Sequence, residues 1–78
     1  MRACILVAVR SAPRTVASQL VHYTGVVDAF PVQSRKEVVV RADLRGMTHL
    51  AELVDRISAT EGVIVSETLL EIPQVVRK

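Results

Sequence analysis

The chain has 78 residues, a net charge of +2 and 50% hydrophobic residues, a length that allows one domain with one core. Its ten basic residues are scattered from Arg2 to Lys78 and aromatic residues make up only 3% of the chain. A nucleic-acid-binding domain of this size usually carries a basic stripe or interleaved aromatic residues, so the composition argues against direct nucleic-acid binding.

The first half of the chain is predicted to form a strand, a helix and a second strand. The apolar run Ala3 to Val9 is short and rich in β-branched residues, which favours a strand. Pro13 suits the first turn of a helix, and Gly25 ends that helical segment. Val26 to Gln33 predicts the second strand, and Pro31 places it at a sheet edge because proline cannot donate a ladder hydrogen bond. The predicted buried stripe of the helix comprises Val16, Ala17, Leu20, Val21 and Thr24.

The second half repeats this order of elements. Lys36 to Leu44 predicts the third strand, and a second helix opens at Gly46 or Thr48. Val63 to Ile72 predicts the fourth strand, which ends at Pro73. The predicted buried stripe of the second helix comprises Met47, Leu50, Ala51, Val54 and Ile57.

Two β-α-β halves joined by a tight turn define an α+β, ferredoxin-like fold with β-α-β-β-α-β order. Because crossovers are right-handed and hairpin strands are neighbours, the antiparallel sheet is predicted to have the order 4-1-3-2, with both helices on one face. This order puts the second strand at an edge, as Pro31 independently requires. One domain is predicted over residues 1–73, followed by a C-terminal tail over residues 74–78.

Both faces of the predicted sheet are apolar, although two short helices can cover only one. The first strand offers Ala3, Ile5, Val7 and Val9 to one face and Cys4, Leu6 and Ala8 to the other. The fourth strand offers Val63, Val65 and Leu69 to one face and Ile64, Leu70 and Ile72 to the other. A large exposed apolar patch usually marks an interaction site, so the sequence predicts a homodimer that packs sheet against sheet as a dimeric α/β barrel. Local shielding of this face by neighbouring side chains is the alternative.

The sequence predicts no catalytic residue, no metal site and no cofactor. His22 and His49 lie on different helices, without a cysteine or paired carboxylates at ligand spacing. Cys4 lies in an apolar run, which indicates a buried, inert thiol. No stretch approaches the ~18 apolar residues of a membrane span, so a cytoplasmic protein without membrane contact is expected.

The predicted turn Ser34-Arg35-Lys36-Glu37 places two cations and a carboxylate between apolar strands. The cations would suit the carboxylate of a zwitterion, and Glu37 would suit its ammonium group. An ordinary polar turn is the alternative interpretation of these four residues.

The chain resembles the effector-binding (RAM) domain of the Lrp/AsnC, or feast/famine, transcription regulators. The resemblance extends from Ala3 to Ile72 and is carried by three segments, ACILVAV, GVVDAFPVQSRKEVVVRA and LAELVDRISATEGVIVSETLLEI. It implies a domain that dimerises through its sheets, assembles into rings of dimers and binds amino-acid effectors between dimers near the hairpin after the second strand. Because the sequence shows no helix-turn-helix segment before Met1, we expect a stand-alone member of the family, for which a full-length regulator of the family is a candidate partner.

The resemblance also assigns candidate effector-binding residues. The family pattern in the hairpin is glycine, two variable residues and aspartate, whereas this chain has Ser34 and Glu37 at the matching positions. Ser66 and Thr68 match hydroxyl positions that often face the family's pocket. The complete candidate set is Ser34, Arg35, Lys36, Glu37, Ser66 and Thr68.

The favoured function is therefore a stand-alone module that binds an amino acid and oligomerises. The alternative is a protein- or peptide-binding module like the NapD-type chaperones, which resemble this chain in length and element order. A small dimeric barrel enzyme is disfavoured, because such enzymes place polar or aromatic residues inside the barrel and the strands here offer Val, Leu and Ile.

Overall fold

The computed structural model describes residues 1–33 and 35–72, so Ser34, Pro73 and the predicted tail 74–78 lie outside the described residues. Its elements follow the predicted β-α-β-β-α-β order. They are β1 (Arg2–Val9), α1 (Pro13–Leu20), β2 (Val26–Pro31), β3 (Glu37–Asp43), α2 (Met47–Ser58) and β4 (Val63–Leu70).

The four strands form one antiparallel sheet with the order β2-β3-β1-β4. This confirms the predicted order 4-1-3-2 and the ferredoxin-like α+β fold. Pro31 is the last residue of β2, and β2 lies at the edge of the sheet, the position that the missing N–H of proline requires.

The core lies between the helices and one face of the sheet. Every second residue of β1 is buried there, with Ile5 and Val7 fully inaccessible, and Val38 and Val40 of the neighbouring β3 are equally buried. These side chains meet the buried stripe of each helix, and most of the core is aliphatic. Such a core packs without polar groups that would need partners.

The buried stripes of the two helices differ in part from the prediction. In α1 the predicted Val16, Ala17 and Leu20 are buried, but the helix ends at Leu20, so Val21 and Thr24 lie beyond it and are exposed. In α2 the buried residues are Leu50, Leu53 and Ile57, whereas Met47 is 62% exposed and Ala51 is exposed. Leu53 buries more apolar surface than Ala51, which accounts for the rotation of α2.

A polar contact joins the ends of the two helical segments. The Tyr23 hydroxyl is hydrogen-bonded to the Thr60 hydroxyl, which in turn donates to the Arg56 carbonyl at 2.8 Å. The Arg56 guanidinium lies over the Tyr23 ring, 4.2 Å from its centroid. Tyr23 thus uses its apolar ring and its polar end to hold α2 against the segment that follows α1.

A β-bulge changes the faces of β4 from those predicted. Ala8 pairs with Val65 but Val9 pairs with Val63, so Ile64 is the extra residue. Val63 therefore shares the helix-covered face with Val9, while Val65 and Leu69 lie on the opposite face. The prediction that Val63, Val65 and Leu69 share one face is wrong, because it assumed uninterrupted alternation.

We expect Gly25→Ala to destabilise the fold by about 1–3 kcal/mol, since a side chain at positive φ is strained. Gly25 has φ +93°, and a Cβ atom there would lie 2.7 Å from Leu44 Cδ2 and 3.1 Å from the His49 ring. Gly46→Ser is the matched control, because Gly46 has open space and extended backbone at the N-cap of α2, where serine is favoured. Urea unfolding of both variants would measure the difference, and equal midpoints would contradict the strain argument.

Candidate functional site

The β2–β3 hairpin is anchored to the end of the sheet by backbone hydrogen bonds. The Val32 N–H donates to the Glu37 carbonyl at 3.1 Å, and the Val9 N–H donates to the Lys36 carbonyl at 2.9 Å. The Arg35 N–H donates back to the Val32 carbonyl at 3.4 Å. The hairpin is thus tied to both β3 and β1, which fixes its position beside the first turn of α1.

A cavity of about 620 Å³ lies between this hairpin and the start of α1. Three of its lining residues are cations and none is acidic, which favours an anionic group such as a carboxylate. The lining residues are Pro13, Arg14, Pro31, Val32, Gln33, Arg35 and Lys36. The structure therefore brings the predicted Arg35 and Lys36 together and adds Arg14, which sequence reasoning missed because it precedes the hairpin by a whole strand.

Glu37 lies beside this cavity but is not part of its lining. It pairs with Ala8 across the sheet and so points to the face without helices. Its Oε1 atom lies 2.5 Å from Nε of Arg35, and its side chain is 33% exposed. A carboxylate has a second oxygen that can accept further hydrogen bonds, so Glu37 can contact another cation while it holds Arg35.

Ser66 and Thr68 lie on β4, at the opposite edge of the sheet from the hairpin. They pair with the buried Val7 and Ile5, so both point to the helix-covered face and are half-buried. Two interstrand steps, about 10 Å, separate β4 from β3. Within one chain the structure therefore does not bring these hydroxyls to Glu37, which points to the other face.

The sheet face without helices, here called the open face, is largely apolar. Its central residues Leu6 and Val39 pair with each other, and Phe30 lies beside Val39. Phe30, Leu69 and Val65 are 44%, 48% and 61% exposed. The apolar residues of the open face are Cys4, Leu6, Ala8, Phe30, Val39, Val65 and Leu69. Cys4 is half-buried on this face rather than in the core, which corrects the prediction of a buried thiol.

An ion pair on the open face links the neighbouring strands β2 and β3. Arg41 donates from Nε and Nη2 to both carboxylate oxygens of Asp28, at 2.7 to 3.2 Å. These hydrogen bonds from Arg41 hold the pKa of the Asp28 carboxyl below its ordinary value. The pair stays ionised at neutral pH, and each charge satisfies the other on this largely apolar face. The sequence shows two opposite charges in adjacent strands, but only the strand register shows that Asp28 and Arg41 lie side by side.

A second cavity, of about 590 Å³, lies at the end of the open face away from the hairpin. It has charged side chains of both signs around an apolar floor. Its lining residues are Arg2, Ala3, Cys4, Val27, Arg41, Ala42, Asp43, Leu69, Leu70 and Glu71. Sequence patterns did not indicate this cavity, because its lining comes from four separate segments.

In the part of the chain that the structure describes, no three His, Cys, Asp or Glu side chains are grouped to hold a metal ion. No helix among residues 1–33 and 35–72 is long and apolar enough to cross a bilayer.

Several solved structures are similar in fold, although no protein-family model and no curated protein matches the chain. TTHA0845 from Thermus thermophilus has a TM-score of 0.85 at 23% identity, over 97% of this chain and 98% of that one. The transcriptional regulator NMB0573 from Neisseria meningitidis, solved as an L-Met complex, has a TM-score of 0.78 at 19% identity. AsnC from E. coli has a TM-score of 0.73 at 19% identity.

These comparisons show which class of proteins shares the fold of this chain. The chain is similar over 97% and 99% of its length to NMB0573 and AsnC, but it covers only 52% and 55% of those chains. Both are Lrp/AsnC-family regulators, so this chain has the ferredoxin-like fold of one part of such regulators. At these identities the likeness shows the fold alone.

Proposed function

We propose that this protein is a RAM-type regulatory module that binds an amino acid or a similar zwitterion and needs no DNA-binding domain of its own to do so. The observation that carries the proposal is the fold, which matches about half of a regulator solved with L-Met. The cation-lined cavity beside the hairpin supports it, because it lies where the family resemblance expects an effector. TTHA0845 has the same fold, and this chain covers 98% of its length.

In this proposal the hairpin separates the two charges of the effector. Lys36 and the free N–H groups of Arg35 bind the carboxylate, and Arg14 reinforces the positive potential from α1. The second oxygen of Glu37 accepts the ammonium group. Charge-assisted hydrogen bonds of this kind each contribute roughly 1.5–3 kcal/mol, which is enough to select a zwitterion over a neutral analogue. Ser66 and Thr68 of a neighbouring copy would complete the pocket, because they lie at the far edge of their own sheet.

We further propose that the module is a homodimer that packs open face against open face. An apolar patch that includes Phe30, Val39 and Leu69 is unusual for a monomer. A full-length regulator with the same fold is a second candidate partner, because it would present the same face. We place the protein in the cytoplasm, where such regulators meet their effectors, and expect no direct nucleic-acid contact.

We propose binding rather than catalysis. Small barrel enzymes place polar or aromatic residues inside the barrel, whereas the uncharged residues that the central strands β1 and β3 place on the open face are Cys4, Leu6, Ala8 and Val39. A peptide-binding module is the second candidate function. The specific observation in its favour is the exposed edge of β4, since an edge strand can capture an extended peptide.

A thermal-shift screen against the twenty amino acids tests the proposed effector. An amino acid at ten times its Kd should stabilise the fold by about 1.4 kcal/mol. For a domain of this size that is a rise in Tm of roughly 5–10 °C. The N-acetyl and amide derivatives of the best amino acid are the controls, because each lacks one charge. If no amino acid raises Tm at millimolar concentration, the chain is an assembly or peptide-binding module instead.

A further inference from the structure

The two edges of the sheet are protected to different degrees. The β2 edge has six residues, a register shift between Val26 and Asp28, and Pro31 at its end, which are devices that block strand addition. The β4 edge has eight residues without proline, and Glu67 is its only charge. Among the described residues no strand lies beyond β4. An exposed, apolar edge strand of this length is a template for another strand.

The hydrogen-bond alternation of β4 shows which backbone groups are available. Glu71 donates its N–H to the Arg2 carbonyl at 3.0 Å, so it faces β1. In an antiparallel ladder the direction alternates, so Leu69 and Glu67 also face β1, and the residues between them face outward. The residues that present N–H and C=O groups to the outside are Ser66, Thr68 and Leu70.

We propose that β4 pairs in antiparallel orientation with β4 of a second copy, about a two-fold axis centred on Thr68. This contact lies at the sheet edge and is separate from the open-face dimer proposed above. A two-fold axis gives each copy the same contacts, and it requires the paired strands to run antiparallel.

The charges on the strand select this register over its neighbours. An axis centred on Glu67 would place Glu67 opposite Glu67 of the second copy, and an axis centred on Leu69 would place Glu67 opposite Glu71. Like charges directly opposite each other destabilise a strand pair. An axis centred on Ser66 would carry the pairing into the bulge at Ile64.

The register centred on Thr68 avoids both problems and keeps residues 65–71 paired. It places Thr68 opposite Thr68 of the second copy, so no like charges meet at the axis. Each glutamate then meets an aliphatic residue along which its methylene groups can pack. The resulting cross-strand pairs are Val65 with Glu71, Ser66 with Leu70, Glu67 with Leu69, and Thr68 with Thr68 of the second copy.

Cysteine cross-linking tests both the interface and its register. In a Cys4→Ser background, Thr68→Cys should form a disulfide-linked dimer under mild oxidation, because the two Cα atoms would lie about 5.5 Å apart. Ser66→Cys is the matched control, since in this register its two copies are about 13 Å apart, beyond the reach of a disulfide. We expect Thr68→Cys to cross-link at least ten-fold faster. Equal rates, a faster Ser66→Cys, or no cross-link in either would overturn the proposal.

Proline at position 68 provides an independent test. Because the Thr68 N–H faces outward, Thr68→Pro removes a donor from the edge while leaving the ladder with β1 intact. Light scattering should show that the wild type is larger than Thr68→Pro by a factor of two or more. An unchanged mass would overturn the proposal. The proposal would also be overturned if the β4 edge of the wild type bound an added peptide but the protein did not self-associate. Repeating the cross-link in a Val39→Lys background separates this contact from the open-face dimer, because edge pairing should survive there.

Discussion

Replacing Val39 by lysine is expected to abolish the open-face dimer. Val39 lies at the centre of this face, between Leu6 and Phe30, and its side chain does not enter the core. A face-to-face dimer would bury two copies of the introduced ammonium group without partners. Each buried, unpaired charge costs several kcal/mol, and every ~1.4 kcal/mol is one decade in Kd. The dimer should therefore weaken by at least a hundred-fold.

Light scattering coupled to gel filtration at micromolar concentration measures this effect, with Thr68→Pro as the shared background so that edge pairing does not contribute to the mass. Met47→Lys is the matched control, because Met47 is equally apolar and 62% exposed but lies on α2, on the other side of the sheet. Circular dichroism should show that both variants stay folded. A wild-type-like dimer for Val39→Lys, or a monodisperse monomer for Thr68→Pro alone, would contradict the open-face interface.

Replacing Glu37 by glutamine is expected to weaken binding of the best amino acid from the screen by about ten-fold to a hundred-fold. The physical reason is the loss of one charge-assisted hydrogen bond to the ammonium group, worth roughly 1.5–3 kcal/mol. Glutamine keeps the size of the side chain, so the hairpin should keep its backbone hydrogen bonds to β1 and β3.

Calorimetry on the wild type and Glu37→Gln gives the affinities, and Glu52→Gln is the control with the same chemical change on the exposed side of α2. The sign of the effect is informative, because Glu37 also holds Arg35. Tighter binding in Glu37→Gln would mean that Glu37 competes with the effector for Arg35, and unchanged affinity would place the pocket elsewhere. Either result would contradict the proposed role of Glu37.

Much of the fold could be predicted from local patterns. The apolar run of β1, the proline at the start of α1 and the proline in β2 each act through their immediate neighbours, so the predicted order of elements and the edge position of β2 are confirmed. The helical spacing of Val16, Ala17 and Leu20 likewise predicts one shared face, and all three residues are buried in α1.

Other features depend on contacts between distant segments and could not be predicted from the sequence. The burial of Leu53 in α2 depends on packing within the core, and the bulge at Ile64 depends on the pairing of β4 with β1. The bond between Tyr23 and Thr60 joins residues 37 positions apart. Periodicity carries no information about such contacts, because it describes one segment at a time.

The candidate site divides in the same way. The order of residues along the chain was enough to predict that Arg35, Lys36 and Glu37 are close together, because a tight turn keeps neighbours in the chain neighbours in space. Only the tertiary structure placed Arg14 beside them, directed Glu37 to the open face and put Ser66 and Thr68 at the opposite edge. Which face and which edge a side chain occupies is decided by strand register, and register is fixed by the packing of the whole sheet against its helices.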